Sequence, residues 1–567
     1  MCSQVDVPLD RTGQVPGTIS LHVEVLATEG PPRGALFLIA GGPGQGSAHV
    51  FGLGTPSSAA LFRFLFPGYT LVAYDDRGTG GSGLLDCPAL QRALTADTQR
   101  AAATACAAVI GQGQSFYSTA QHAEDMEAVR LSIGFDRIAL FGVSYGTKLA
   151  QAYALAHPTH VERLLLDSVV PPERDPYSAD VLRRLPATLA AFCSDGGCRA
   201  ATRDFAGDVV ALANALAAKP LKGKVLEPSG ATTAVSVDGL RLLSLVLDGD
   251  LNQGLAAELP AVVRAARLGN TQPLLRLARI HDGTSITPSE DLSFALYAAT
   301  VCRDGPFPWA PETPVPDRPA ILRAAVNALP AGTLGPFGSW AIQFGNADFC
   351  LGWPSPAGGA ALGPGPLPDV PVLAVSGGFD MRTPTASAVE VIAKFPQGRL
   401  LVVPGVGHSV TTADLSGCVI RAIRGWMLGG AVPAECPRTN AIVKPTPALP
   451  APGAEKPTKV LGPLQTYAIA SAAVKEAQAI WLAAAPTPVA GIFGGKLVPG
   501  NGLSFTLTKY AIARGVWVSG KIRATSIDLP LAFEGSVTVG GPAASGGILG
   551  LKGTSLRGTL GGRVVGR

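Results

Sequence analysis

One pentapeptide constrains this chain more than any other stretch. It is Gly142-Val143-Ser144-Tyr145-Gly146, a G-x-S-x-G run set between an apolar strand and an apolar helix. The strand reads Arg137-Ile138-Ala139-Leu140-Phe141, and the helix continues through Thr147, Leu149, Ala150, Tyr153 and Ala154. A serine on so sharp a strand-to-helix turn is held in a strained conformation with its hydroxyl clear of the backbone. Glycines flank it because a Cβ there would collide with neighbouring main chain. The helix N-terminus beneath the serine favours developing negative charge. The pentapeptide alone is a common pattern; the strand before it and the helix after it make Ser144 a candidate nucleophile.

A hydroxyl needs a histidine base, itself oriented by a carboxylate, and after such a turn the chain order is serine, acid, histidine. The chain has seven histidines. His22, His49 and His122 precede Ser144, His157 and His160 end the helix just after it, and His281 sits in an Arg- and Leu-rich helical stretch. That leaves His408, in Leu400-Leu401-Val402-Val403-Pro404-Gly405-Val406-Gly407-His408, a strand running into a glycine-rich loop. The acid should end the preceding strand. Val370-Pro371-Val372-Leu373-Ala374-Val375-Ser376-Gly377-Gly378-Phe379-Asp380 supplies Asp380, with room for one helix and a return strand before His408. The alternative is an aspartate that only caps that helix.

Tetrahedral intermediates need backbone N–H groups aimed at the developing oxyanion. One should come from Tyr145, directly after the serine. The other should come from the loop after an early strand. Ala35 to Ala40 is that strand, followed by Gly41-Gly42-Pro43-Gly44-Gln45-Gly46-Ser47, and Gly42 is the second donor.

Taken in order, G-G-P-G-Q-G-S, Tyr74-Asp75-Asp76-Arg77-Gly78-Thr79-Gly80-Gly81-Ser82, G-V-S-Y-G, S-G-G-F-D and G-V-G-H resemble the α/β-hydrolase serine peptidases of the prolyl aminopeptidase type. Within them the resemblance is to the secreted tripeptidyl aminopeptidase branch. Cys2 before Val7-Pro8-Leu9-Asp10, Val301-Cys302-Arg303-Asp304, and Cys350-Leu351-Gly352-Trp353-Pro354 also look like that branch. The resemblance covers about residues 1–437. Ala40 stands where the family often has histidine, and a segment before the first cysteine, with a partner cysteine, is absent here.

Length and composition fit. A chain of 567 residues holds more than one domain. Hydrophobic residues make up 47% and charged residues 15%, which excludes a disordered chain. A net charge of +4 gives no reason to invoke nucleic acid. No run of 18 apolar residues and no basic-then-apolar leader appears. Among nine cysteines, Cys87/Cys106, Cys193/Cys198, Cys302/Cys350 and Cys418/Cys436 are plausible local pairs, with Cys2 left over, although spacing does not fix connectivity. There is no C-x-x-C and no histidine at zinc-ligand spacing, so no metal and no cofactor is expected. Four disulfides imply an oxidising compartment, outside the cell or in its envelope; the alternative is buried thiols in a cytosolic enzyme.

The expected division is an α/β-hydrolase core in two parts, 1–173 and 351–436, around a mainly helical lid at 174–350. Helical periodicity at Asp238–Leu247, Gln253–Leu268, Leu274–Ile280 and Asp291–Cys302 marks the lid. A Pro-rich linker, 437–463, reads as a stiff extended spacer. Residues 464–567 read as a helix followed by a small all-β module. Nine Lys/Arg from Lys496 to Arg567 face only Asp528 and Glu534. Such a module suits an anionic cell-wall or membrane surface; the alternative is a solvated face.

The expected activity is a serine hydrolase, an aminopeptidase or tripeptidyl aminopeptidase cleaving near a free N-terminus through an acyl-enzyme. An exopeptidase of this kind must hold the substrate ammonium, and Glu290, Asp291 and Asp304 are the candidate anchors, each also readable as a cap or surface acid. Two rivals stay open: an esterase or other small-molecule hydrolase with the same triad, and an inactive hydrolase fold acting as a surface-binding protein.

Overall fold

The structure, a computed structural model, describes residues 1–310, 312–354, 366–438, 441–525 and 530–566. Asp528 and Arg567 lie outside the described residues. The chain divides into two compact units, each built from two separated stretches.

The first unit comprises Met1–Arg184 and Ile286–Thr439. Its sheet begins with β1 (Cys2–Pro8), β2 (Thr18–Leu26), β3 (Gly34–Ile39), β4 (Tyr69–Tyr74), β5 (Ile138–Val143) and β6 (Val161–Asp167). A hairpin of β7 (Leu221–Leu226) and β8 (Thr232–Val237) belongs to the second unit, and β9 (Val372–Gly377) and β10 (Gly398–Val403) then complete the first sheet. The order is β1-β2-β4-β3-β5-β6-β9-β10. The β1/β2 and β2/β4 pairs are antiparallel and the rest are parallel.

Both faces of the parallel strands are covered, so these strands read as continuous apolar runs. Phe37, Leu140, Leu164, Leu166, Val372 and Ala374 pack on one side with Met126, Val129, Leu149, Tyr153 and Val391 from helices at 119–133, 145–156 and 385–392. Their neighbours Leu36, Leu38, Phe141, Leu165, Leu373 and Val375 pack on the other with Phe62, Leu65, Ile423 and Trp426 from helices at 56–65 and 418–427. A separate cluster joins helices 96–110 and 294–304 around Trp309 and Trp353, stapled by Cys87–Cys106 and Cys302–Cys350. All four expected cysteine pairs are bonded and Cys2 is free.

The second unit comprises Leu185–Ser285 and Asn440–Arg567. Its second half is an eight-stranded antiparallel meander: β11 (Val489–Ala490), β12 (Gly494–Pro499), β13 (Ser504–Ala513), β14 (Val516–Ala524), β15 (Phe533–Gly540), β16 (Gly547–Gly553), β17 (Ser555–Leu560) and β18 (Arg563–Val565). One face buries Phe505, Leu507, Val518, Ile522, Val537 and Leu549 against the alanine-rich helix Pro463–Ala484. Trp481 of that helix stacks on Phe505 with ring centroids 5.5 Å apart.

This grouping differs from a linear division into lid, linker and module. Residues 286–350 group with the hydrolase sheet, whereas 185–285 group with the C-terminal module. The described part of the Pro-rich stretch is docked as well. The Thr446 N–H donates to Ala257 O at 2.9 Å, the Ala448 N–H to Ala200 O at 2.8 Å, and Val443 is buried. Among the described residues, no helix is long and apolar enough to cross a membrane.

Candidate active site

Ser144 lies at the head of helix Tyr145–Ala156 with φ 54° and ψ −120°, in the left-handed region that a non-glycine residue rarely adopts. The flanking glycines permit it. A Cβ on Gly142 would lie 2.4 Å from Gly146 O, and one on Gly146 would lie 2.3 Å from Ile39 O. A Cβ on Gly41 would fall 3.1 Å from the Ser144 Cβ, so the glycine loop after β3 runs beside the serine. Gly42 has φ 105° and precedes a cis peptide to Pro43. Among the described residues the Gly42 N–H has no acceptor, and the Tyr145 N–H is the first of its helix, where intrahelical partners are lacking. The Ser144 hydroxyl makes no hydrogen bond among the described residues; such bonds commonly tighten only when substrate binds.

Asp380 follows β9 and His408 follows β10, an adjacent parallel pair, so both emerge at the same sheet edge. Their side chains meet: His408 Nδ1 lies 2.8 Å from Asp380 Oδ2, with the imidazole 5% and the carboxylate 0% exposed. The other carboxylate oxygen accepts the Arg382 and Thr383 N–H groups at 3.1 and 2.7 Å. The Thr383 hydroxyl donates to Asp380 Oδ2 at 2.6 Å and stands 3.2 Å from His408 Nδ1. Burial works to raise the Asp380 pKa, but His408 and these hydrogen bonds hold it below the usual carboxylate range. It stays an acceptor, which fixes the Nδ1–H tautomer and leaves His408 Nε2 free to take a proton. The loop carrying His408 turns back over the sheet because Gly377 has no side chain; a Cβ there would lie 2.2 Å from Gly407 O.

Sequence reasoning did not reach the groups behind Tyr145. Its hydroxyl contacts Thr119 Oγ at 2.8 Å and His122 Nδ1 at 3.0 Å. Asp304 accepts from the Thr119 N–H at 3.0 Å, from the Thr119 hydroxyl, and from Lys148 Nζ at 2.9 Å. Burial works to raise Asp304, yet Lys148 and Thr119 hold it below the ordinary range. An acceptor-only Asp304 sets the direction of the chain: Thr119 donates to it, Tyr145 to Thr119, and His122 Nδ1–H to Tyr145. Burial pushes His122 down to about 4.

The three acids considered for a substrate ammonium divide here. Asp304 is largely buried, its side chain 9% exposed, and is already paired with Lys148. Glu290 and Asp291 are exposed on the turn before Ser293, and Asp291 pairs with His49 at 2.7 Å. That turn lies against the glycine loop: the Ser293 N–H donates to Gly44 O at 2.9 Å, and a Cβ on Gly42 would lie 3.1 Å from Leu292 Cδ1. The Tyr74–Ser82 motif is scaffold. Asp75 accepts the Ala48 and Gly81 amides, and buried Arg77 forms a two-point pair with Asp125 at 2.6 Å. Away from the site, Glu127, His157 and His160 bring ligand atoms within 4.8 Å of one another, a cluster the histidine spacing did not suggest, but Arg130 already holds Glu127.

The fold and the glycine-flanked serine define an α/β hydrolase, and comparison with known families agrees. The α/β hydrolase fold family matches residues 34–217, and a family described as TAP-like protein matches residues 336–439. The chain is a serine hydrolase of this fold, similar to the tripeptidyl aminopeptidase of Streptomyces coelicolor, at 27% identity over 76% of this chain and 82% of that one. It is similar also to serine protease Hip1 of Mycobacterium tuberculosis, at 25% identity over 76% and 86% of the two chains. Carboxylesterase B of Mycobacterium tuberculosis is 27% identical over 76% and 85%.

Proposed function

We propose that this chain is a serine aminopeptidase of the tripeptidyl type, working outside the cell or in its envelope, where its four disulfides persist. Ser144 attacks the scissile carbonyl while His408 Nε2 takes its proton, and His408 then gives that proton to the amine that leaves as the C–N bond breaks. Asp380 orients the ring and stabilises the imidazolium. The Gly42 and Tyr145 amides hold the oxyanion, and the acyl-enzyme is then hydrolysed by water with His408 again as base. The observation that carries this reading is the buried 2.8 Å His408–Asp380 contact at the sheet edge where β5 delivers a left-handed Ser144. Glu290 and Asp291, exposed beside the glycine loop, are the proposed ammonium anchors. Asp304, with its charge already met, belongs to the support of Tyr145.

The test is initial rate on two matched peptide arylamides, one with a free N-terminus and one acetylated, with Ser144→Ala as control. Preference for the free amine, reduced about a millionfold in kcat by Ser144→Ala, is expected. Glu290→Gln with Asp291→Asn should raise KM for the free-amine peptide and leave the acetylated one unchanged. Equal or no cleavage of both peptides would sink the aminopeptidase reading. The second reading, an esterase, draws on the likeness to carboxylesterase B and would show as turnover of acetyl esters alone.

A further inference from the structure

Asp167 closes β6 and has no part in the chemistry proposed above, yet it is fully buried. Its main-chain carbonyl accepts the Ser144 N–H at 2.9 Å, where the β5/β6 ladder ends. Its carboxylate reaches the other way. Oδ1 accepts the Val410 N–H and Oδ2 the Thr411 N–H, both at 2.8 Å. Ser168, next in the chain with φ 59°, donates its hydroxyl to Asp167 Oδ1 at 3.0 Å. The same hydroxyl oxygen accepts the Ser409 N–H at 2.9 Å, and Ser409 is itself left-handed at φ 61°. Three consecutive amides after His408 therefore end on two adjacent side chains of β6.

The sheet explains why such a tie is needed. His408 leaves β10, which lies three strands from β5 in the order β5-β6-β9-β10, an offset of about 14 Å. A loop from β10 has to be drawn back toward the serine and held there. A carboxylate gripping two successive amides fixes orientation as well as distance. β6 is the strand next to β5, so the grip refers the histidine loop to the nucleophile's own ladder. A carboxylate removed from water is tolerated only when its oxygens are satisfied, and these amides satisfy them.

We infer that Asp167, with Ser168, is a positioning residue that sets the His408 loop relative to the Ser144 turn; this rests on the triad reading above. The test is a cycle of variants: Asp167→Asn, Ser168→Ala, His408→Ala, and each of the first two combined with the third. Two quantities are measured, kcat and KM on the free-amine arylamide and the rate and final extent of Ser144 labelling by a fluorophosphonate. Asp167→Asn turns one acceptor into a donor facing an amide. It should slow labelling and kcat about ten- to a hundredfold, with full final labelling and KM within about twofold. Ser168→Ala should act in the same direction and less. With His408 replaced by alanine, neither change should slow labelling further, because the loop then has nothing to present. Equal losses in both backgrounds, or reduced final labelling at an unchanged rate, would make Asp167 a fold support only and overturn the inference. Should Asp167→Asn not fold, the Ser168→Ala cycle decides the same question. A His408→Ala enzyme within about tenfold of wild type would remove the triad reading, and this inference with it.

Discussion

The proposed Asp380–His408 pair is built so that one proton position is available and the other is not. Thr383 supports both partners at once, with its hydroxyl between Asp380 Oδ2 and His408 Nδ1. Asp380→Asn should lower kcat about ten-thousandfold without unfolding the chain, since the amide would favour the wrong imidazole tautomer; steady-state kinetics beside a melting curve checks both halves. A second residue, His122, gives a prediction in pH. Its buried ring has a pKa of about 4, against about 6.5 once unfolded. Between those values the unfolded chain binds a proton that the folded one does not, so this group's contribution falls as pH drops from about 6.5 to 4, by up to about 3 kcal/mol. A His122→Phe variant lacks that loss, and its stability gap from wild type, read from urea midpoints, should narrow toward pH 4. Ser144, Asp380 and His408 stand out as candidates in the sequence because each follows an apolar strand. Asp167 and His122 do not, since their partners are fixed by the lateral order of strands and by helix packing, which no local pattern records.

At the scale of elements, alternation and helical period served well where a segment is buried on one clear face. The helix expected at Gln253–Leu268 spans Gln253–Arg267, and the helix expected to open the stretch from residue 464 spans Pro463–Ala484. The hairpin β7–β8 escaped notice inside a stretch that reads as helical. Leu221-Lys222-Gly223-Lys224-Val225-Leu226 buries only Val225, and its lysines and glycine blur the period of two. The turn after β9 depends on one glycine more than on any apolar residue. Gly377→Ala would drive a methyl group into the Gly407 and Val406 carbonyls, at 2.2 and 2.4 Å. The loop holding His408 would have to move, and a misplacement near 1 Å costs about a hundredfold in rate. The expected result is a Gly377→Ala enzyme about a hundredfold slower in kcat, with far-UV circular dichroism unchanged.

For the whole chain, linear order and compactness part company. Within the second unit, Arg276 from the insertion is buried against Glu476 of helix Pro463–Ala484 and lies 2.9 Å from the Tyr510 hydroxyl of β13. Glu258 is buried alongside, accepting from Thr446, and burial and then Glu476 drive its pKa well above the ordinary value. Glu476→Leu leaves the Arg276 guanidinium buried without its counter-ion and should cost about 3–5 kcal/mol, read as a lowered urea midpoint. None of these partnerships is visible to a left-to-right reading, because residues some 200 positions apart complete one core. They also impose a schedule. Residues 185–285 emerge early, while the segment that covers them begins at residue 440. At about 5–20 residues per second the insertion waits roughly 10–50 s for its other half. Throughout that interval the face around Ala257, which helix Pro463–Ala484 covers in the finished unit, stays open to solvent, and Arg276 waits without Glu476.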